Sequence, residues 1–131
     1  MFLGGLPMLL KEQLTGQVIS AAIKVHKALG PGLLESAYET CLAHELLQRG
    51  IECRRQVEVP IVYGGCRLSS GFRIDLLVQE EVIVELKAIE KLAPIHEAQL
   101  MTYLRLSGKK AGRLVNFNTL RLIDGIVRRV L

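Results

Sequence analysis

Three charged residues set in two short apolar runs are the first sign of chemistry in this chain. Asp75 interrupts Phe72-Arg73-Ile74-Asp75-Leu76-Leu77-Val78, and Glu85 and Lys87 interrupt Val82-Ile83-Val84-Glu85-Leu86-Lys87-Ala88-Ile89. Both runs are short, rich in β-branched residues and bounded by polar ones, which predicts strands. Side chains alternate faces along a strand, so Glu85 and Lys87 leave one face while Val82, Val84, Leu86 and Ala88 take the other. Gln79-Glu80-Glu81 is a link short enough for a hairpin, which sets Asp75 beside Glu85. Two carboxylates and an ammonium among apolar residues are costly unless they pair or hold an ion. Two hard oxygen ligands on rigid strands suit Mg²⁺ or Mn²⁺, and a lysine beside them could orient or help deprotonate an activated water. The competing reading is a structural salt bridge between Lys87 and a carboxylate on a half-exposed sheet.

Other residues with chemical potential lie on predicted helices. Glu35 and Tyr38 sit one turn apart in Gly32-Leu33-Leu34-Glu35-Ser36-Ala37-Tyr38, where a carboxylate gains from the positive helix N-terminus. Helix capping explains Glu35 on spacing alone; a ligand role is the alternative. His26 lies on the polar edge of the first predicted helix, as surface and core-edge histidines do. Gln99 and Tyr103 are four residues apart and share a helix face, with His96 one turn earlier. A glutamine turned towards a sheet needs a partner, which suggests a polar site. No phosphate-binding loop ending in Gly-Lys-Ser/Thr and no dinucleotide fingerprint is present, so ATP is not implied.

The elements that must position these residues follow from periodicity. Leu14, Val18, Ala21, Val25 and Ala28 recur at helical spacing, predicting an amphipathic helix over 12–29 that Gly30-Pro31-Gly32 ends. A second helix is expected over 33–49, with Gly50 as its cap. Extended segments follow at 51–62 and, briefly, 67–70, before the Asp75 strand. A third helix begins near Pro94 and stops at Gly108, and a strand covers 113–117. Asp124-Gly125 in the tail is a hairpin signal. The order gives an α/β domain in which helices pack on a mixed sheet.

With 131 residues, half of them hydrophobic and 23% charged, the chain is expected to form one globular domain over 12–131 behind a flexible tail, 1–11. That tail is apolar but lacks a basic leader and is broken by Gly and Pro, a poor signal peptide; Met8 is an alternative start. No segment is long enough to span a bilayer. Cys41, Cys53 and Cys66 are odd in number and form no Cys-x-x-Cys pair, which disfavours a disulfide framework and structural zinc and favours the reducing cytoplasm. Only 5% of residues are aromatic and there is no tryptophan, which argues against a stacking platform for single strands. The net charge of +4 is a mild pointer to a polyanionic partner. Lys109, Lys110, Arg113, Arg121, Arg128 and Arg129 crowd the C-terminal part, as a phosphate grip or as a solvated surface.

Taken together, Asp75, Glu85-x-Lys87 and Gln99-x-x-x-Tyr103 resemble the PD-(D/E)XK nuclease superfamily, in particular its RecB-like branch. Gly32, Glu35 and Tyr38, with Val25 to Glu35, His96 to Leu100 and Val115-Asn116-Phe117, resemble one small family within it, the GxxExxY proteins. The resemblance covers Leu14 to the C-terminus. It implies a restriction-endonuclease-like central mixed β-sheet flanked by α-helices, with a divalent metal on Asp75, Glu85 and the carbonyl of Leu86. Lys87 would position the attacking water, Glu35 would complete the metal site, and Gln99 and Tyr103 would orient the site and the nucleic-acid backbone. His26 and Tyr38 are looser correspondences. The chain departs from the superfamily's name in carrying Ile74 where that name has Pro. The implied function is metal-dependent hydrolysis of DNA or RNA. The alternatives are a nucleic-acid- or protein-binding module of nuclease fold and a dimeric assembly protein. Because no separate DNA-reading domain is visible, a homodimer or a partner protein is also expected.

Overall fold

Apolar residues three and four apart make the first helix, α1 (Lys11–Leu29), because they give it one face to bury. Leu14, Val18, Ala21 and Val25 are buried as expected, Thr15 and Ala22 join them, and Ala28 stays exposed. Gly30 and Gly32 both take positive φ, 75° and 98°, which turns the chain into α2 (Glu35–Gln48). That helix begins two residues later than expected because Leu34 is still extended. Tyr38 fixes the joint. Its hydroxyl donates to the Gly30 carbonyl at 2.6 Å and accepts the Leu33 N–H at 3.1 Å, with the ring fully buried.

The computed structural model describes residues 2–3, 6–7 and 11–131. Most of the tail expected over 1–11 lies outside the described residues; Phe2–Leu3 (β1) pairs antiparallel with Leu6–Pro7 (β2), and Lys11 already belongs to α1. The main sheet has five strands: β3 (Cys53–Tyr63), β4 (Cys66–Val78), β5 (Val82–Lys87), β6 (Ala111–Asn116) and β7 (Ile126–Val130), in that spatial order. Only β5 and β6 run parallel, because α3 (Pro94–Ser107) forms the crossover between them; the other neighbours are antiparallel.

Two sequence expectations change. The short strand expected over 67–70 is the first part of β4, which runs unbroken through Gly71. A Cβ at Gly71 would stand 2.2 Å from an Ile61 side-chain carbon, so glycine admits the close approach there. Asp124-Gly125 does not form a hairpin. It closes a 3₁₀ turn, Leu122–Gly125, and the strand that follows pairs with β6.

The central strands of the sheet, β5 and β6, are buried on both faces. Val82, Val84 and Leu86 of β5 pack with Leu14, Val18, Tyr38 and Leu42 of α1 and α2. Ile83, one position out of phase, packs with Leu100 and Leu104 of α3. This is the expected α/β arrangement, a central mixed sheet flanked by helices. No helix among the described residues is long and apolar enough to cross a membrane.

Replacing Tyr38 by Phe keeps the ring and removes both hydroxyl bonds at the α1–α2 joint. It should cost about 1–3 kcal/mol, read as a lower urea midpoint with an unchanged slope.

Candidate functional site

The Gln79–Glu81 link does form a tight turn, with Gln79 and Glu80 at φ 49° and 58°. Glu80 is held by Arg54 through two bonds of 2.6 and 2.7 Å. The β4–β5 ladder then pairs Val78 with Val82, Leu77 with Ile83 and Leu76 with Val84. The next pair in that register is Asp75 and Glu85, and there side chains replace main-chain partners. Glu85 Oε2 accepts the Asp75 N–H at 2.8 Å, and Asp75 Oδ2 accepts the Leu86 N–H at 2.9 Å. The two carboxylates are thereby fixed to each other's strands.

Their electrostatics follow from that position. Glu85 is 4% exposed, and burial, then the charge of Asp75, pushes its carboxyl up to about 8. Burial also raises Asp75, against the Leu86 N–H that favours its anion; the charge of Glu39 adds to the rise. Lys87 is half-buried at the end of β5, and its charge lowers both carboxyls. Among the described residues it takes part in no ion pair. The salt bridge expected under the bland reading therefore does not form.

Lys87 is held from behind. Its carbonyl accepts the Phe117 N–H at 2.8 Å, and Phe117 stacks on Tyr38 with ring centres 4.4 Å apart. Asn116 is buried, takes the Ile89 N–H at 3.1 Å and donates to the Ile89 carbonyl at 2.9 Å. The backbone on either side of the lysine is thus tied to the end of β6.

The remaining candidates divide. Glu35 is exposed at the first residue of α2, accepts no hydrogen bond among the described residues, and its charge adds to the rise at Glu85. It makes no capping hydrogen bond, but it stands in the first turn of α2, where the helix N-terminus favours its charge as expected. Tyr103 stacks on Phe72 of β4 at 4.3 Å, and burial, then the charges of Glu85 and Asp75, raise its hydroxyl. Gln99 is half-buried one turn before it. His26, expected on the polar edge of α1, is instead buried, because its Nε2 meets the Thr119 carbonyl at 2.8 Å. Tyr38 serves the α1–α2 joint, and His96 closes the start of α3 by accepting the Ala93 N–H at 2.8 Å. The basic C-terminal cluster is partly spent: Arg129 pairs with Glu97, and Arg113 is buried with one nitrogen on the Gly112 carbonyl.

Glu39 and Gln56 were not legible as site residues. Glu39 is buried one turn beyond Glu35 and accepts from Arg55 at 3.0 Å and from Gln56, which also donates to Asp75 Oδ1 at 3.3 Å. The four-residue spacing of Glu35 and Glu39 was the available signal. Among the described residues, no group of three or more His, Cys, Asp or Glu is gathered closely enough to hold a metal by itself.

A family model of the PD-(D/E)XK nuclease superfamily matches residues 12–130. The chain belongs to this superfamily. PD-(D/E)XK nucleases generally use divalent metals, and membership suggests nuclease activity on nucleic acid at the level of the superfamily. The five-stranded mixed sheet with flanking helices is the restriction-endonuclease-like fold of these PD-(D/E)XK proteins. No curated protein and no solved structure matches the chain.

Glu85 binds its proton more tightly folded than unfolded. Metal-free protein should therefore lose stability as pH rises from about 4.5 towards 8, the window in which only the folded state keeps that proton. In EDTA the melting temperature should fall by about 5–10 °C between pH 5.5 and 8.5, and Glu85→Gln should flatten most of that slope.

Proposed function

We propose that this domain is a metal-dependent nuclease that hydrolyses phosphodiester bonds in DNA or RNA. The observation that supports the reading best is the state of its charges. Glu85 is buried beside the half-buried Asp75, whose charge opposes its ionisation, while Lys87 takes part in no ion pair among the described residues. Such an arrangement costs free energy in the resting protein and is relieved by a cation.

The donor set fits Mg²⁺ or Mn²⁺, since all its members are hard oxygens. Asp75, Glu85 and the Leu86 carbonyl would hold the ion, with Glu35 completing the site or holding its water. When bound, the ion supplies positive charge that polarises a phosphoryl oxygen and acidifies water. Lys87 would orient the attacking water and stabilise negative charge developing on the phosphorus oxygens. Gln99 and Tyr103, on the α3 face beside the carboxylates, would hold the nucleic-acid backbone.

Within the superfamily we place the chain in the GxxExxY family and the RecB-like branch, on Gly32, Glu35 and Tyr38 and on Gln99 and Tyr103. Tyr38 supports this reading in physical terms, because it sets the joint from which Glu35 emerges. Free thiols at Cys41, Cys53 and Cys66 suit a reducing cytoplasm. The single domain would read its substrate with a second copy or a partner protein. His26 would act through Thr119 rather than on the substrate.

Calorimetric titration of Mn²⁺, run alongside cleavage of labelled DNA and RNA, tests the reading. Wild type should bind the ion and cleave. Asp75→Ala/Glu85→Ala should lose both, and Lys87→Met should keep binding while its turnover falls about 100-fold or more. Nucleic-acid binding that survives the double substitution, with no cleavage by wild type, would instead make this a binding module of nuclease fold. A wild type that takes up no Mn²⁺ would sink the metal reading.

A further inference from the structure

The side chains of β3 and β4 change face at one matched pair of positions. Arg55 points to Glu39 on α2, whereas Val57, two residues on, packs in the cluster of α3. On the partner strand, Leu76 packs with α1 and α2, whereas Ile74, two residues back, packs in the cluster of α3. Residues two apart on a regular strand share a face, so both strands break phase between these positions. The residue between them on β3 is Gln56, and on β4 it is Asp75. The pairs on either side, Arg55 with Leu76 and Val57 with Ile74, set these two residues opposite each other.

Gln56 carries the cause in its backbone. Its φ is 51°, in the left-handed region, where a non-glycine residue inside a strand is strained. Neither proline nor glycine adjoins it, and no turn occurs there. The conformation has one visible return: consecutive residues Arg55 and Gln56 both reach Glu39, which a regular strand forbids. From that position the Gln56 amide nitrogen donates to two carboxylates at once, Glu39 Oε1 on one side and Asp75 Oδ1 on the other. Asp75 thus has one oxygen on Gln56 and the other on the Leu86 N–H, so its carboxylate plane is fixed at both ends.

We infer that Gln56 is the positioning residue of Asp75: its strained backbone aims an amide that joins Asp75 to Glu39 on α2. The inference rests on the proposed metal site for its purpose but not for its geometry. A neutral amide with two donor hydrogens suits the task, since it satisfies two carboxylates without adding a charge that would compete with a bound cation. Arg55 balances Glu39 from the far side, which lets Glu39 serve as an anchor.

Gln56→Gly tests this. Glycine accepts positive φ without strain, so the fold should hold or gain stability while the clamp is lost. In metal-free protein the Leu86 amide should exchange its hydrogen about tenfold faster, because the carboxylate it donates to is free to turn, while the Ile83 amide on the same strand stays as in wild type. Calorimetry should show the Mn²⁺ dissociation constant raised about tenfold, the size expected when a partner of a metal ligand is removed. Gln56→Gly with unchanged Leu86 exchange overturns the positioning role, whatever the metal data show. Absence of Mn²⁺ binding in wild type counts against the proposed metal site alone, and the Leu86 exchange then still decides the clamp.

Discussion

Two carboxyl groups side by side inside a sheet, which burial keeps from ionising together, are the constraint on which the rest of this structure depends. A buried carboxylate is expensive, and a second one opposite raises the cost. The chain meets that cost by ending the β4–β5 ladder one pair early and giving the freed N–H groups of Asp75 and Leu86 to the acids. The backbone thus supplies the first two donors, and burial leaves Glu85 holding a proton to about pH 8 in the absence of a cation. Lys87 lies near enough to lower both carboxyls but pairs with neither, so its charge is not consumed by the resting fold. A sheet built only for stability would have closed that pair or filled the site with apolar side chains.

Positions far apart in the chain are tied together at the lysine. Tyr38 holds the glycine joint by its hydroxyl and stacks by its ring on Phe117, whose N–H binds the Lys87 carbonyl. One fully buried residue therefore links the loop that presents Glu35 to the strand that presents Lys87. A shift of either would be transmitted through a closely stacked ring pair, which has little room to adjust. The glycine, acid and tyrosine of the α1–α2 segment can be understood as one mechanical unit: the glycine turns the chain, the tyrosine locks the turn, and the acid is what the turn delivers.

Much of this was legible in the sequence because it depends on short range. A three-residue link between two apolar runs leaves little choice of register, so Asp75 opposite Glu85 followed directly. Alternation along β5 separated Glu85 and Lys87 from the core residues Val82, Val84 and Leu86. The α3 boundaries followed from Pro94 and Gly108. What escaped depends on backbone states that residue type does not announce. Gln56 at positive φ lies in a polar run that gives no warning, and Glu39 resembles any surface acid until Arg55 and Gln56 fold onto it. Asp124-Gly125 misled because its turn chemistry is real, but β6 offered the tail a better partner than the tail itself could.

The charges around the site lead to one more step. Asp75 and Glu85 lie between Glu35, whose charge acts on Glu85, and Glu39, whose charge acts on Asp75. These four carboxylates are met by one ammonium, Lys87, and one guanidinium, that of Arg55 on Glu39. Fully ionised, the group falls short of neutrality by two positive charges. Protons can supply them, which is the state that burial favours at Glu85, or a single divalent ion can. The first leaves an acid with no base to activate a water; under the proposed reading a divalent ion held by Asp75 and Glu85 would supply the charge that polarises a phosphate, with Lys87 beside it. The two acids of α2 then divide the work by position. Under the proposed reading Glu39, paired with Arg55 and joined to Asp75 through Gln56, would hold the site together, and Glu35, at the positive end of the same helix and without a hydrogen-bond partner among the described residues, would be the one left to adjust to what enters.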